Sequence, residues 1–238
     1  MRKSVQFLLL FLMCISASWT WASDAPERTV LFNMGDYDSQ YWRIPALVTA
    51  ADNSLVAVVD KRGSSLGDLP NTISIMSRRS TDNGKNWSEP VVVAQGGNGK
   101  TYGDPAVVLD KKTGNLICMF VGDQGLWNAT PYNRQGIYVS KSTDNGVSWS
   151  EPVAITDQVY ANHSGWYAGF AGSGHGLCLK DGRLMFVWRF VPLLLPESLF
   201  IIMLSIPMTE AIIGLCRPMQ LRLRETRPKW WNLKTGIF

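Results

Sequence analysis

Short apolar runs separated by turn residues fill the chain between Val30 and Val187. Runs such as SLVAVVDKR, PAVVLD and NLICMFVGD are rich in β-branched residues, and Asn-Gly, Asp-Gly or Gly-Asn dipeptides lie between them. Such runs favour strands, and such dipeptides favour the tight turns of β-hairpins. We find no convincing helix in this segment, so the pattern predicts an all-β fold made of many short strands.

One turn sequence occurs twice. STDNGKNWSEP runs from Ser80 to Pro90, and STDNGVSWSEP runs from Ser142 to Pro152. In their shared pattern S-x-D-x-G-x-x-W, the Ser and Asp side chains can hydrogen-bond the turn backbone, and Asn-Gly can adopt positive φ angles. The Trp can fold back to fill the gap between strands. A strand-rich repeat with the spacing between Ser80 and Ser142 is typical of β-propeller blades. Such blades repeat because each one needs a neighbour to bury its second face.

A second motif, YWRIP at Tyr41–Pro45, precedes both turns. Together with the two turns, which match the Asp box, it resembles the start of the catalytic domain of bacterial exo-α-sialidases, especially the secreted enzymes of Bacteroides-like bacteria. The resemblance covers roughly Thr29 to Val187. It implies a partial six-bladed β-propeller with about three blades present. It also implies a glycosidase that releases terminal sialic acid from sialylated glycoconjugates without a metal or other cofactor.

The same resemblance implies four site residues. Arg43 corresponds to the first of three arginines that grip the sialic acid carboxylate, which a planar guanidinium can bind through two parallel hydrogen bonds. Arg62 corresponds to a second pocket arginine near O4 of the sugar, and Asp68, on a loop rich in Gly and Ser, to the general acid and base. Asp104 corresponds to a carboxylate that faces the O4 hydroxyl. Trp127 either walls the acetamido pocket or serves packing.

The residue types alone leave plainer alternatives open. Arg43 could form a surface ion pair, Asp68 could cap its loop, and Asp104 could cap a turn. Neither His163 nor His175 has a partner at the spacing of a metal site or a catalytic triad, so we predict no metal centre.

The N-terminus and the charge distribution address location and partners. Positive residues at the start, an apolar run and small residues up to Ala22 form the pattern of a secretory signal peptide. We therefore expect a leader at 1–22, a propeller segment at 23–187, and a secreted or periplasmic protein. Seven basic and three acidic residues after Val187 account for the whole net charge of +4. The balanced remainder argues against nucleic-acid binding.

Residues 188–238 do not continue the strand and turn pattern. We recognise there no further Asp box, no Gly-Asp-Glu-Ala-Lys motif, and neither the later arginines nor the Tyr nucleophile of the family. We interpret the segment as an aberrant tail and expect this chain to be inactive. The alternatives are a non-catalytic sugar-binding propeller fragment and a membrane anchor at LLLPESLFIIML, which is shorter than a spanning helix and contains Pro196 and Glu197.

The genetic code favours a frameshift as the origin of this tail. Read one nucleotide earlier, the codons of Trp231 and Asn232 encode Val-Glu without any choice of synonymous codon. With suitable synonymous codons, Arg224 to Lys234 reads Gly-Asp-Glu-Ala-Lys-Val-Val-Glu-Leu-Lys, and Leu204 to Gly214 reads as another S-x-D-x-G-x-x-W turn. The slip would then fall between about Phe186 and Leu204.

Sequencing the locus tests the frameshift. We expect the nucleotides under Trp230 and Trp231 to lie in a neighbouring frame that encodes Gly-Asp-Glu-Ala-Lys. A neighbouring frame without that motif would show that the tail has another origin.

Overall fold

A computed structural model describes residues 28–63, 65–161, 165–171, 174–192 and 198–204. For residues 171, 189–192 and 198–204 only the course of the backbone is described. The expected leader at 1–22, His163 and most of the proposed tail lie outside the described residues. Contacts divide the chain into Met1–Val30 and Leu31–Phe238, and the second unit contains all the strands discussed here.

Among the described residues of the second unit, thirteen strands form three sheets. The first sheet has the order β1-β2-β3-β4, and the second has the order β10-β5-β6-β7-β8. In the third sheet, β12 pairs with β13 along one edge and with β9 and β11 along the other. The strands are β1 Tyr41–Thr49, β2 Leu55–Arg62, β3 Ser74–Ser80, β4 Val91–Ala94, β5 Tyr102–Leu109, β6 Leu116–Gly122, β7 Gly136–Ser142, β8 Val153–Ala154, β9 Trp166–Ala171, β10 Gly174–His175, β11 Leu177–Cys178, β12 Leu184–Pro192 and β13 Ser198–Leu204.

The sequence pattern misplaced two features. Two short α-helices, α1 at Gly125–Asn128 and α2 at Thr156–Tyr160, and a 3₁₀ turn at Asp36–Asp38 interrupt the described part of the segment in which we expected strands alone. Each has fewer than two turns, which is too short to show a helical period. The strands also continue beyond Val187, because β12 extends to Pro192 and pairs with β13.

The middle sheet is buried on both faces. Along β6, Leu116, Cys118 and Phe120 belong to the core shared with the first sheet. Ile117 and Met119 belong to the core shared with the third sheet. Successive side chains of a strand point to opposite faces, so a central blade needs apolar residues at every position. The run NLICMFVGD has this composition because it lies between two neighbouring sheets.

Both Asp-box turns close as their sequence predicts. In the first, the Ser80 hydroxyl donates to Asp82 at 2.8 Å and accepts from the Gly84 amide at 2.9 Å, with φ of 60° at Asn83 and 87° at Gly84. The Asn86 amide donates to Asp82 at 2.9 Å. These hydrogen bonds lower the pKa of Asp82 to about 2, the backbone bond from Asn86 contributing most. The Asp82 carboxylate therefore serves to hold its own turn and accepts hydrogen bonds from residues of that turn.

The second Asp box also connects two sheets. Its Trp149 indole donates to the Ser77 hydroxyl on β3 at 2.9 Å, whereas the Trp87 indole of the first box donates to Gly84 within its own turn. The Asn145 carbonyl accepts from Arg79 on β3 at 3.0 Å. The turn thus fastens the second sheet to the first.

Glycine substitutions in the two boxes separate turn strain from packing between the sheets. Gly84 and Gly146 have φ of 87° and 86°, but a Cβ on Gly146 would lie 2.8 Å from Val56, while one on Gly84 would meet Leu55 at an ordinary 3.7 Å. We expect Gly84→Ala to lower the free energy of unfolding by about 1–2 kcal/mol. Gly146→Ala should lower it by about 1–3 kcal/mol more, because it overpacks the interface. Urea unfolding measures both, and equal losses would contradict the interface role.

Candidate active site

Two β-bulges place residues at one end of the sheets. The pairing of β1 with β2 shifts between Arg43 and Ala46, and the pairing of β5 with β6 shifts at the corresponding place, between Gly103 and Ala106. Each bulge contains a residue with positive φ: Ile44 at 54° in the first sheet and Asp104 at 57° in the second. A bulge redirects side chains locally. Here the two bulges line the same pocket.

Arg62, the last residue of β2, is the central cation of this pocket. Its side chain is 2% exposed. Its Nε and Nη2 donate to Oδ2 of Asp60 at 3.2 and 2.9 Å. Its Nη1 donates to Oδ1 of Asp68 at 2.6 Å and to the carbonyls of Leu66 and Gly67 at 3.0 and 3.2 Å. The guanidinium therefore links a buried carboxylate to an exposed one.

Asp68 and Arg43 meet at the mouth of the pocket. The Asp68 side chain is 58% exposed, and its Oδ1 lies 3.7 Å from Nη1 of Arg43, whose side chain is 44% exposed. Arg43 also donates to the Leu66 carbonyl at 3.3 Å. The loop that carries Asp68 is held by Asn71, whose side-chain amide donates to the Asp68 carbonyl at 2.7 Å. Arg43 and Asp68 are thus close together and both open to solvent.

Asp60, which is buried, and Asp104, which is partly buried, lie close enough for the charge of Asp104 to act on Asp60. Burial raises the pKa of Asp60 to about 7, the Asp104 charge acts in the same direction, and Arg62 opposes both. Burial likewise raises the pKa of Asp104. The charged form of each acid is disfavoured because the protein replaces most of its water.

The four residues implied by the sequence line one cavity of about 260 Å³. Trp127 lies at its rim with 78% of its surface exposed, so it is not a core residue. Trp127 belongs to α1, which packs on the Asp68 loop so closely that a Cβ on Gly125 would lie 2.5 Å from Leu69. The lining residues are Arg43, Ile44, Arg62, Asp68, Leu69, Ile73, Gly103, Asp104, Leu126, Trp127, Gln135 and Phe170.

Sequence reasoning missed two polar residues near the site. Asp60 is a charged residue inside the apolar run LVAVVDKR and is fully buried, a combination that could have drawn attention to it. Gln135 is also buried, and its side-chain oxygen accepts from the Gly169 amide on β9 at 2.8 Å. Nothing in the local sequence distinguishes Gln135 from a surface residue.

The other candidate residues lie away from the pocket. Cys118 is buried in the core of the first two sheets and Cys178 is partly buried, and neither forms a disulfide among the described residues. His175 is exposed on β10 and does not line this cavity. Among the described residues, no helix combines the length and apolar character that a membrane span requires.

Comparisons with known proteins identify relatives of this chain. A family model for a BNR repeat-like domain matches residues 44–189. The chain is 34% identical over 176 residues to a sialidase of Bacteroides fragilis (strain YCH46), which covers 66% of this chain and 32% of that protein. It is 35% identical over 153 residues to a sialidase of Micromonospora viridifaciens, covering 59% of this chain and 23% of that protein. The chain thus spans about a third or less of the length of these two curated relatives.

Solved structures show the same fold. The Hadza microbial sialidase Hz136 superposes with a TM-score of 0.64 at 31% identity, over 71% of this chain and 36% of that chain. The NanB sialidase from Streptococcus pneumoniae superposes with a TM-score of 0.65 at 16% identity, over 80% of this chain and 46% of that chain. The likeness confirms the prediction of a partial β-propeller.

The raised pKa of Asp60 should make the free energy of unfolding depend on pH. Since the pKa of Asp60 is about 7 in the folded chain and near 3.8 when exposed, the folded chain retains a proton between about pH 4 and 7 that the unfolded chain releases. The contribution of Asp60 to stability should therefore be present below pH 4 and fall as pH rises through 7.

Urea unfolding at several pH values, with Asp60→Asn as the comparison, measures this effect. We expect the variant to show a smaller fall. Asp104 and Arg62, whose charges act on Asp60, remain unchanged in both proteins, so an identical pH dependence would show that Asp60 does not carry a raised pKa.

Proposed function

Since the chain belongs to the sialidases that carry BNR repeats, we propose that its pocket binds a terminal sialic acid and forms the N-terminal part of an exo-α-sialidase active site. The observation that carries this proposal is the convergence of Arg43, Arg62, Asp68 and Asp104 in one cavity. Arg43 and Arg62 come from strands of the first sheet, Asp68 from the loop after β2, and Asp104 from a strand of the second sheet. The proposed ligands are sialylated glycans, and no cofactor is required.

Arg43 is the residue proposed to bind the sugar carboxylate. Its side chain is 44% exposed at the pocket mouth, and only its Nη1 contacts the Asp68 loop. A planar guanidinium can offer a carboxylate two parallel donors, which a lysine cannot do. Arg62 is nearly buried and its nitrogens already donate to protein groups, so it is less available than Arg43 to bind the carboxylate. We therefore place Arg62, with Asp104, on the side of the pocket that would face O4 of the sugar.

Asp68 is the proposed general acid and base. A general acid must come within hydrogen-bond reach of the oxygen that it protonates, and Asp68 is the exposed carboxylate at the cavity mouth. In hydrolysis it would give its proton to the glycosidic oxygen as the bond to the anomeric carbon breaks, and then accept a proton from the incoming water. Sialidases use a tyrosine nucleophile instead of a second carboxylate. We recognise no such tyrosine in this chain.

The N-terminal pattern supports a secreted or periplasmic location, with residues 1–22 as the proposed leader. A sialidase of glycoconjugates needs access to extracellular glycans. The propeller segment is proposed to run from residue 23 to residue 187 and the aberrant tail from 188 to 238, the latter including the end of β12 and the backbone of β13.

Sialoside binding tests the proposed ligand. Saturation-transfer NMR with the α-methyl glycoside of N-acetylneuraminic acid should detect binding by the unaltered chain. Arg43→Ala should abolish the signal, and Arg43→Lys should weaken binding about tenfold or more, because it keeps the charge but loses the paired donors. Lys112→Ala, on an exposed turn away from the cavity, is the matched control and should bind normally. Equal binding by the Arg43 variants and the control would exclude this site.

Turnover separates the enzyme from the sugar-binding fragment. With a fluorogenic sialoside, we expect no detectable hydrolysis by this chain and hydrolysis once the neighbouring reading frame is restored. Substantial turnover by the chain as given would show that the missing residues are not needed. Binding without turnover in both forms would favour the non-catalytic alternative.

A further inference from the structure

Asp60 is a fully buried carboxylate between two sheets. It lies on β2, two residues before Arg62, and its side chain has no exposed surface. A buried charge is costly unless it is paired and hydrogen-bonded, so its partners indicate why the protein contains it. Its two oxygens have different partners on different strands.

One oxygen holds the pocket arginine. Oδ2 of Asp60 accepts from both Nε and Nη2 of Arg62, at 3.2 and 2.9 Å. This fixes two edges of the guanidinium and leaves Nη1 directed at the Asp68 loop, where it bonds Oδ1 of Asp68 at 2.6 Å. Charge-assisted bonds of this kind fix both distance and orientation.

The other oxygen holds the bulge of the second sheet. Oδ1 of Asp60 accepts from the backbone amide of Asp104 at 3.2 Å. The neighbouring Gly103 lies next to the Asp60 carboxylate. A Cβ on Gly103 would lie 3.4 Å from Oδ2 of Asp60. Asp104 has a φ of 57°, a conformation that a non-glycine residue adopts only when its surroundings favour it.

We propose that Asp60 is the positioning residue of the sialic acid site, because it fixes the Arg62 guanidinium and the Asp104 bulge relative to each other across the two sheets. The proposal rests on the proposed function and adds a residue that does not itself touch the sugar. Without this carboxylate, Arg62 would keep only the exposed Asp68 and two loop carbonyls as partners. Both the arginine and the acid loop would then lose their fixed orientation.

The test uses Asp60→Asn, which keeps the shape of the side chain but replaces one of its two accepting oxygens with an amide group that can only donate. The matched control is Asp52→Asn, in the turn between β1 and β2, where the Asp52 carboxylate pairs with Arg79. One readout is the NMR signal of the Arg62 Nε–H, which reports its hydrogen bond. The other is the affinity for the α-methyl sialoside.

Asp60→Asn should shift the Arg62 Nε–H signal and weaken sialoside binding on the order of tenfold, while Asp52→Asn should change neither. An unchanged Arg62 signal in Asp60→Asn would overturn the proposal. If the unaltered chain binds no sialoside, the proposed function fails, but the Arg62 signal still decides whether Asp60 positions it.

Hydrogen exchange on the unaltered chain serves as a second measurement if Asp60→Asn does not fold. Arg62 Nε–H and the Asp104 amide both donate to Asp60, so both should exchange slowly, while the guanidinium of the half-exposed Arg43 exchanges fast. Fast exchange at either Arg62 or Asp104 would contradict the shared anchor.

Discussion

The Arg62 guanidinium lies between a buried carboxylate, Asp60, and an exposed one, Asp68, and the geometry of the pocket depends on this arrangement. Asp60 fixes the guanidinium from the core side, and the guanidinium in turn holds the loop of Asp68. Because Asp60 also accepts the amide of Asp104, one buried acid connects the first sheet, the second sheet and the acid loop. The buried Asp60 thus helps to determine the positions of Asp68 and Asp104 in the pocket.

The arrangement of the sheets makes this connection possible. The middle sheet is apolar on both faces and packs between the other two. The β-bulges of β1 and β5 occur at corresponding positions, so neighbouring sheets place Ile44 and Asp104 around one cavity. The Asp boxes lie elsewhere, and the second of them joins the sheets through Trp149 and Ser77. The Asp-box turns therefore stabilise the sheets, while the β-bulges form the binding site in a different part of each sheet.

The sequence was sufficient wherever the signal is local. The Asp-box turns could be predicted because Ser80, Asp82 and Gly84 bond one another within a few residues. The motifs indicated Arg43 and Asp68 as site candidates, and the fold brings the two side chains within 3.7 Å of each other. Asp60 and its bond to Asp104 could not be predicted, because the two residues are 44 positions apart and meet only when two sheets pack.

The position of a bound sialic acid tests the account most directly. A crystal structure of the chain with the sugar should show its carboxylate against the guanidinium of Arg43, its glycosidic oxygen next to Asp68, and its O4 hydroxyl towards Arg62 and Asp104. A sugar bound away from this cavity, with Arg43 and Asp68 untouched, would contradict it.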